Sequence, residues 1–85
     1  MSRYRIVIEP KAVKFMATLK MADKRRIEGA IYLLGDNPLP PKAKKLADRE
    51  GYRVRVGNFR IIYSFKSDIL EIRVIKIGQR QNFYK

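Results

Sequence analysis

Apolar and polar positions alternate through residues 3–9, RYRIVIE, with Tyr4, Ile6 and Ile8 on one side, which predicts a short strand ended by Pro10. The period then lengthens. Ala12, Phe15, Met16 and Leu19 fall at i, i+3, i+4 and i+7, predicting a helix over residues 11 to about 20 with Lys11, Lys14, Thr18 and Lys20 pointing away. A second helix is predicted from 24 to about 34, with Asp23 as N-cap, Gly35 as stop, and Ile27, Ala30, Ile31 and Leu34 as its apolar stripe. These stripes read as core. Residues 36–41, DNPLPP, hold three prolines and predict an irregular connector, because proline lacks a donor and fixes φ. The basic stretch 42–50 is expected to form a helical turn.

From Gly51 the period drops to two, and strands are predicted over 52–56, 59–66 and 69–77. Gly57-Asn58 suits a two-residue hairpin loop, and Ser67-Asp68 offers a second, weaker one. The first loop pairs Val56 with Phe59, Arg55 with Arg60, Val54 with Ile61 and Tyr52 with Tyr63. The second then sets Phe65 opposite Leu70, Tyr63 opposite Ile72 and Ile61 opposite Val74. That face is apolar or aromatic throughout and must pack on the helices, since a one-residue slip would invert it. The fold class is α+β: a strand, a helical hairpin, then a three-stranded antiparallel meander with the helices on one face, as one domain over residues 1–85. The place of the first strand in the sheet stays open.

The same register gathers Arg53, Arg55, Arg60 and Arg73 on the other face, with Ser64, Ile62, Ile75 and Ile77. Directly opposed like charges are destabilising. Glu71 is the one carboxylate placed on that side, and it lies away from the turn. The face is therefore expected to hold an anion from outside. Beyond Ile77, Gly78 permits a bend that would carry Arg80 and Tyr84 beside Arg55 and Arg60. Guanidinium groups match phosphate bidentately and a phenol ring gives a base something to stack on, so the constellation points to RNA phosphate. The apolar Ile62, Ile75 and Ile77 on a charged face imply a covering protein partner.

Charge strengthens the picture. Twenty Lys and Arg stand against eight Asp and Glu, a net charge of +12 in 85 residues, which points to a polyanionic partner. There is no cysteine and no histidine, which excludes disulfides, thiolate metal sites and the usual acid–base side chain. The carboxylates are scattered rather than convergent, which argues against a two-metal nuclease, and no cofactor motif is present. No signal peptide or membrane-length apolar run is read, and a cytoplasmic location is expected.

The run YRVRVGNFRIIY at 52–63, followed by a hydrophobic strand, Gly78-Gln79-Arg80 and Tyr84, resembles the RelE/ParE superfamily of toxins from toxin–antitoxin pairs, nearly end to end. The resemblance implies a metal-independent endoribonuclease that cleaves messenger RNA in the ribosomal A site by attack of a ribose 2′-hydroxyl on the adjacent phosphate. It carries the functional roles to Arg53, Arg55, Arg60, Arg80 and Tyr84, of which Arg55, Arg60, Arg80 and Tyr84 would be catalytic. Arg53 and Arg73, with Lys11, Lys14, Lys42, Lys44 and Lys45, would bind RNA. An acidic antitoxin would cover Ile62, Ile75 and Ile77. RelE has lysines where this chain has Arg53 and Arg55, and arginine stays protonated, so either Arg55 and Arg60 only clamp the phosphate while Tyr84 or an RNA or ribosomal group handles the proton, or activity is weaker than in lysine-bearing relatives. ParE-like members share the fold but inhibit DNA gyrase, and a plain RNA-binding module is a third reading.

Overall fold

The computed structural model describes residues 3–79. Strand β1 (Arg5–Ile8) leads into α1 (Pro10–Ala17), which opens on the proline itself. That position suits proline, because the first helical N–H has no intrahelical partner to lose. The helix is shorter than the pattern suggested. The Thr18 hydroxyl donates to the Phe15 carbonyl at 2.7 Å, and the Leu19 N–H to the Met16 carbonyl at 3.1 Å, closing the last turn. Lys20 is extended (φ −62°, ψ 152°) and is the N-cap of α2 (Met21–Leu34). Asp23 is therefore not the cap. It sits in the first turn, where a carboxylate complements the positive end of the helix dipole.

Gly35 ends α2 with an ordinary right-handed φ of −63°. Its glycine serves close approach instead: a Cβ there would lie 2.7 Å from Nη2 of Arg3. Arg3 donates to the Tyr32 carbonyl at 2.7 Å, pairs with Asp36, and lies 3.8 Å over the Tyr32 ring. A cation thus closes the negative end of α2.

The expected helical turn at 42–50 is not formed. Lys44–Lys45 make a two-residue strand, β2, on β3 (Tyr52–Val56). Gly51, at φ +121°, bends the chain between them, and its carbonyl accepts from the Leu46 N–H at 3.0 Å. β3, β4 (Phe59–Lys66) and β5 (Glu71–Gln79) form the meander within a five-stranded sheet of order β1-β5-β4-β3-β2. β1 lies at the edge, parallel to β5, with Ile6 beside Ile72 and Ile8 beside Val74, so its apolar side joins the same layer.

The β3–β4 register is the one the Gly57-Asn58 loop predicts, including Arg55 opposite Arg60. Gly57 has φ +59° and Asn58 does not share that region, the pattern of a type II′ turn. The β4–β5 register differs. Four residues, 67–70, connect the strands, so Phe65 pairs with Ile72 and Tyr63 with Val74. A shift of two residues leaves each side chain on its expected face. A bulge then changes that: Ile62 pairs with Lys76 and Ile61 with Ile77, leaving Ile75 as the extra residue.

Both helices pack on one face of the sheet. Ile27, Ile31 and Leu34 of α2 and Ala12 and Met16 of α1 meet Val54, Ile61, Tyr63, Ile72 and Val74. Each fully buried aliphatic or aromatic side chain contributes roughly 1.5–3 kcal/mol relative to leaving it in water. Tyr63 is fully buried and donates to the Pro38 carbonyl at 2.6 Å, fastening the proline connector to the core. Burial, with Tyr52 nearby, pushes its phenol up to about 12. Among the described residues no helix is long and apolar enough to cross a membrane.

Candidate nucleic-acid interface

The sheet face turned away from the helices carries two rows of side chains across the strands. One row is Arg55, Arg60 and Gly78; the next is Lys44, Arg53, Ile62 and Lys76. Among the described residues the register places no Asp or Glu in either row. A two-residue loop makes Val56–Phe59 a hydrogen-bonded pair and Arg55–Arg60 the closer, non-hydrogen-bonded kind. Like charges directly opposed across a strand pair are destabilising. A phosphodiester between them reverses the sign.

Arg60 is more enclosed than a surface arginine, at 8% exposure, whereas Arg55 is exposed. Its neighbour on β5 is Gly78, which has no side chain to compete for the space. One cation is thus held within the sheet face and the other stands at its rim. Beside them Lys42, Lys44, Arg53, Arg55 and Gly57 line a groove of about 430 Å³ in which every lining side chain is cationic.

Several expected members lie elsewhere. Arg73 is two rows away from Arg55 and is paired with Glu9 and Glu71, each at 3.5 Å, so it does not join the Arg55–Arg60 cluster. Glu71 also accepts from Arg5 at 2.8 Å, and that hydrogen bond is the main reason its carboxyl titrates below the usual range. Lys45 is opposite Tyr52 and so falls on the helix side of the sheet, away from Lys44. Lys11 and Lys14 are exposed on α1, in the other layer. Ile77 is not on the cationic face. The bulge turns it into the core at 4% exposure, so it cannot serve as a partner-binding residue. Ile62 is on that face but only 5% exposed, flanked by the long side chains of Arg53 and Lys76, whose aliphatic stems suit such cover. Ile75, half-buried, is the extra residue of the bulge. Arg80 and Tyr84 lie outside the described residues; β5 reaches Gln79 opposite Phe59, next to the hairpin turn.

Two cations escaped the sequence reading. Lys76 stands opposite Ile62 because of the bulge, which no residue pattern announces. Arg26 belongs to α2 but reaches the hairpin: a Cβ on Gly57 would lie 2.9 Å from its Nη1. Its spacing from Ala30 and Leu33 was the available signal. Those residues, with Gly29, Leu34, Val54 and Val56, line a largely apolar groove of about 950 Å³ between α2 and β3, with Arg26, Lys42 and Arg55 among its polar lining.

Comparison with known proteins agrees with this fold. The family model described as the ParE toxin of the type II toxin–antitoxin system parDE matches residues 6–84. A relative from Methanocaldococcus jannaschii, named as toxin RelE1, is 28% identical over 98% of this chain and 97% of its own length. The archaeal RelE–RelB complex from Pyrococcus horikoshii contains a chain 28% identical to this one, with a TM-score of 0.79 over 94% of this chain and 97% of that one. A chain of the RelBE2 toxin–antitoxin complex of Mycobacterium tuberculosis shares the fold, with a TM-score of 0.82 over 94% of each chain at 19% identity.

Proposed function

Because the chain belongs to the ParE toxin family of type II toxin–antitoxin systems, within the RelE/ParE superfamily, we propose that it is the toxin whose single domain, residues 1–85, cleaves messenger RNA on the ribosome in the cytoplasm. The observation that carries the reading is the direct opposition of Arg55 and Arg60 beside a groove of Lys42, Lys44 and Arg53. The ribose 2′-oxygen attacks the neighbouring phosphorus as the bond to the 5′-oxygen breaks, leaving a 2′,3′-cyclic phosphate and a 5′-hydroxyl. Arg55 and Arg60 grip the non-bridging oxygens and take up charge that develops on them. A well-placed donor of this kind is worth about 2.7–4 kcal/mol of barrier.

Neither arginine accepts the 2′ proton, since a guanidinium stays protonated. That proton goes to Tyr84 or to a group of the ribosome or RNA, the departing 5′-oxygen takes up a proton from water or from one of those groups to become the 5′-hydroxyl, and Arg80 assists the phosphate. No metal ion enters the scheme. The partner is a RelB-type antitoxin, as in the complexes the related folds form. Its seat is the apolar groove between α2 and β3, whose cationic lining of Arg26, Lys42 and Arg55 suits an acidic amphipathic segment. An antitoxin there would reach two cations, Lys42 and Arg55, that also line the RNA groove.

The test is mapping of RNA 5′ ends after induction of the toxin. Ends placed in register with codons, lost in Arg60→Ala and Arg55→Ala variants that still fold, support the proposal. The ParE description of the matching family favours a second reading, inhibition of DNA gyrase. Intact messages with loss of supercoiling would establish that reading instead.

A further inference from the structure

Arg26 lies at the head of the α2 flank formed by Gly29, Ala30 and Leu33, at i+3, i+4 and i+7, and all four line the apolar groove. Its guanidinium reaches the end of that groove at Gly57, which lines it as well. Nη1 sits 2.9 Å and Cδ 3.9 Å from where a Cβ on Gly57 would be, so the side chain lies directly on the hairpin turn. Gly57 is thus needed twice: once for φ +59°, and once to leave passage for Arg26. Gly57 also lines the cationic groove with Lys42 and Arg55, which puts Arg26 at the lip joining the two grooves. The four ion pairs among the described residues involve Arg3, Arg5 and Arg73, and none uses Arg26.

We infer that Arg26 is a further phosphate-binding residue, which holds the phosphate next to the scissile one as the RNA strand runs from the Lys42–Lys44–Arg53 groove across Arg55 and over the Gly57 turn. The inference rests on the ribonuclease reading of that face. It extends the footprint of the site from the sheet onto helix α2 and assigns Gly57 a role in recognition beyond the turn.

The probe is a short single-stranded 2′-O-methyl oligoribonucleotide, which lacks the attacking hydroxyl, titrated against the full chain at a series of salt concentrations. Arg26→Gln keeps most of the stem in the apolar groove and removes the charge. Its affinity is expected to fall about three- to tenfold at low salt, and the slope of log K against log salt to drop by about 0.7, the value for one phosphate contact on a single strand. Arg26→Lys should keep the slope. Arg25→Gln, the adjacent exposed arginine that lines neither groove, is the control for net charge and should leave the slope unchanged. Equal slopes for Arg26→Gln and Arg25→Gln would overturn the inference. Arg55→Ala separates the two levels of the argument. If it lowers the slope while Arg26→Gln does not, only the role of Arg26 is lost; if neither does, the RNA-binding face is lost with it.

Discussion

Replacing Arg55 with threonine should make the free protein more stable and its complex with RNA less so. Arg55 faces Arg60 as a close cross-strand pair, and like charges so placed cost about 0.2–1 kcal/mol. Threonine removes the charge and is itself favourable in a strand. For a domain of this size 1 kcal/mol moves the melting temperature by roughly 4–8 °C, so a gain of about 1–8 °C is expected at low salt. The gain should shrink toward zero at 1 M salt, where the screening length falls to about 3 Å. Adding the 2′-O-methyl oligoribonucleotide at tenfold its Kd stabilises the wild type by about 1.4 kcal/mol, or roughly 6–11 °C. If the variant binds tenfold more weakly, the same concentration gives it about 0.4 kcal/mol and roughly 2–3 °C. Thermal unfolding with and without the oligonucleotide, at two salt concentrations, reads all four quantities. A variant that melts lower than wild type at low salt, or that gains as much from RNA, would refute the reasoning.

The other predictions concern the parts that shape this face. Ile77→Ala should cost about 2–5 kcal/mol in urea unfolding with an unchanged m-value, since the bulge buries that side chain, whereas Ile75→Ala should cost clearly less. Tyr63→Phe leaves the Pro38 carbonyl without its donor, a loss of about 1–3 kcal/mol near neutral pH. In wild type the phenol is held protonated to about 12, against 10.0 for the free group, so the unfolded chain releases its proton first. Stability should therefore fall between those two pH values, by roughly 3 kcal/mol at most, and Tyr63→Phe should lack that decline in alkaline melting curves. Glu71, depressed chiefly by Arg5, contributes stability that is present above its ordinary value of 4.5 and lost as the pH falls through its lower folded value. Glu71→Gln should flatten that part of the acid limb, measured at fixed ionic strength.

What could be read from residues and what could not divides along one line. Gly57-Asn58 prescribes a two-residue loop, and a two-residue loop dictates the pairing of everything on β3 and β4, so Arg55 opposite Arg60 followed directly. Both helices were legible because Ala12 and Met16, and Ile27, Ile31 and Leu34, recur at helical spacing. Ser67-Asp68 carried no such prescription. The actual loop has four residues, and Leu70 takes φ 50°, a conformation an apolar residue does not advertise. The bulge at Ile75 inverted the faces of Ile77 and Lys76, exchanging an expected partner residue for a core one and hiding a cation of the site. Lys44–Lys45 paired with β3 through tertiary context rather than propensity, and Arg26 met Gly57 across elements 31 positions apart by the numbering. Local chemistry sets registers next to a tight turn. Contacts between distant elements appear only in the fold.

The most direct measurement is cleavage of a defined message on purified ribosomes, with the ends of the products identified. Cuts are expected in the A-site codon, leaving a 2′,3′-cyclic phosphate and a 5′-hydroxyl, unaffected by metal chelation beyond its effect on the ribosome. Arg55→Ala and Arg60→Ala should each slow the reaction by about a hundredfold or more. Intact message with wild-type protein, or cleavage that persists at the wild-type rate in both variants, would contradict the ribonuclease reading.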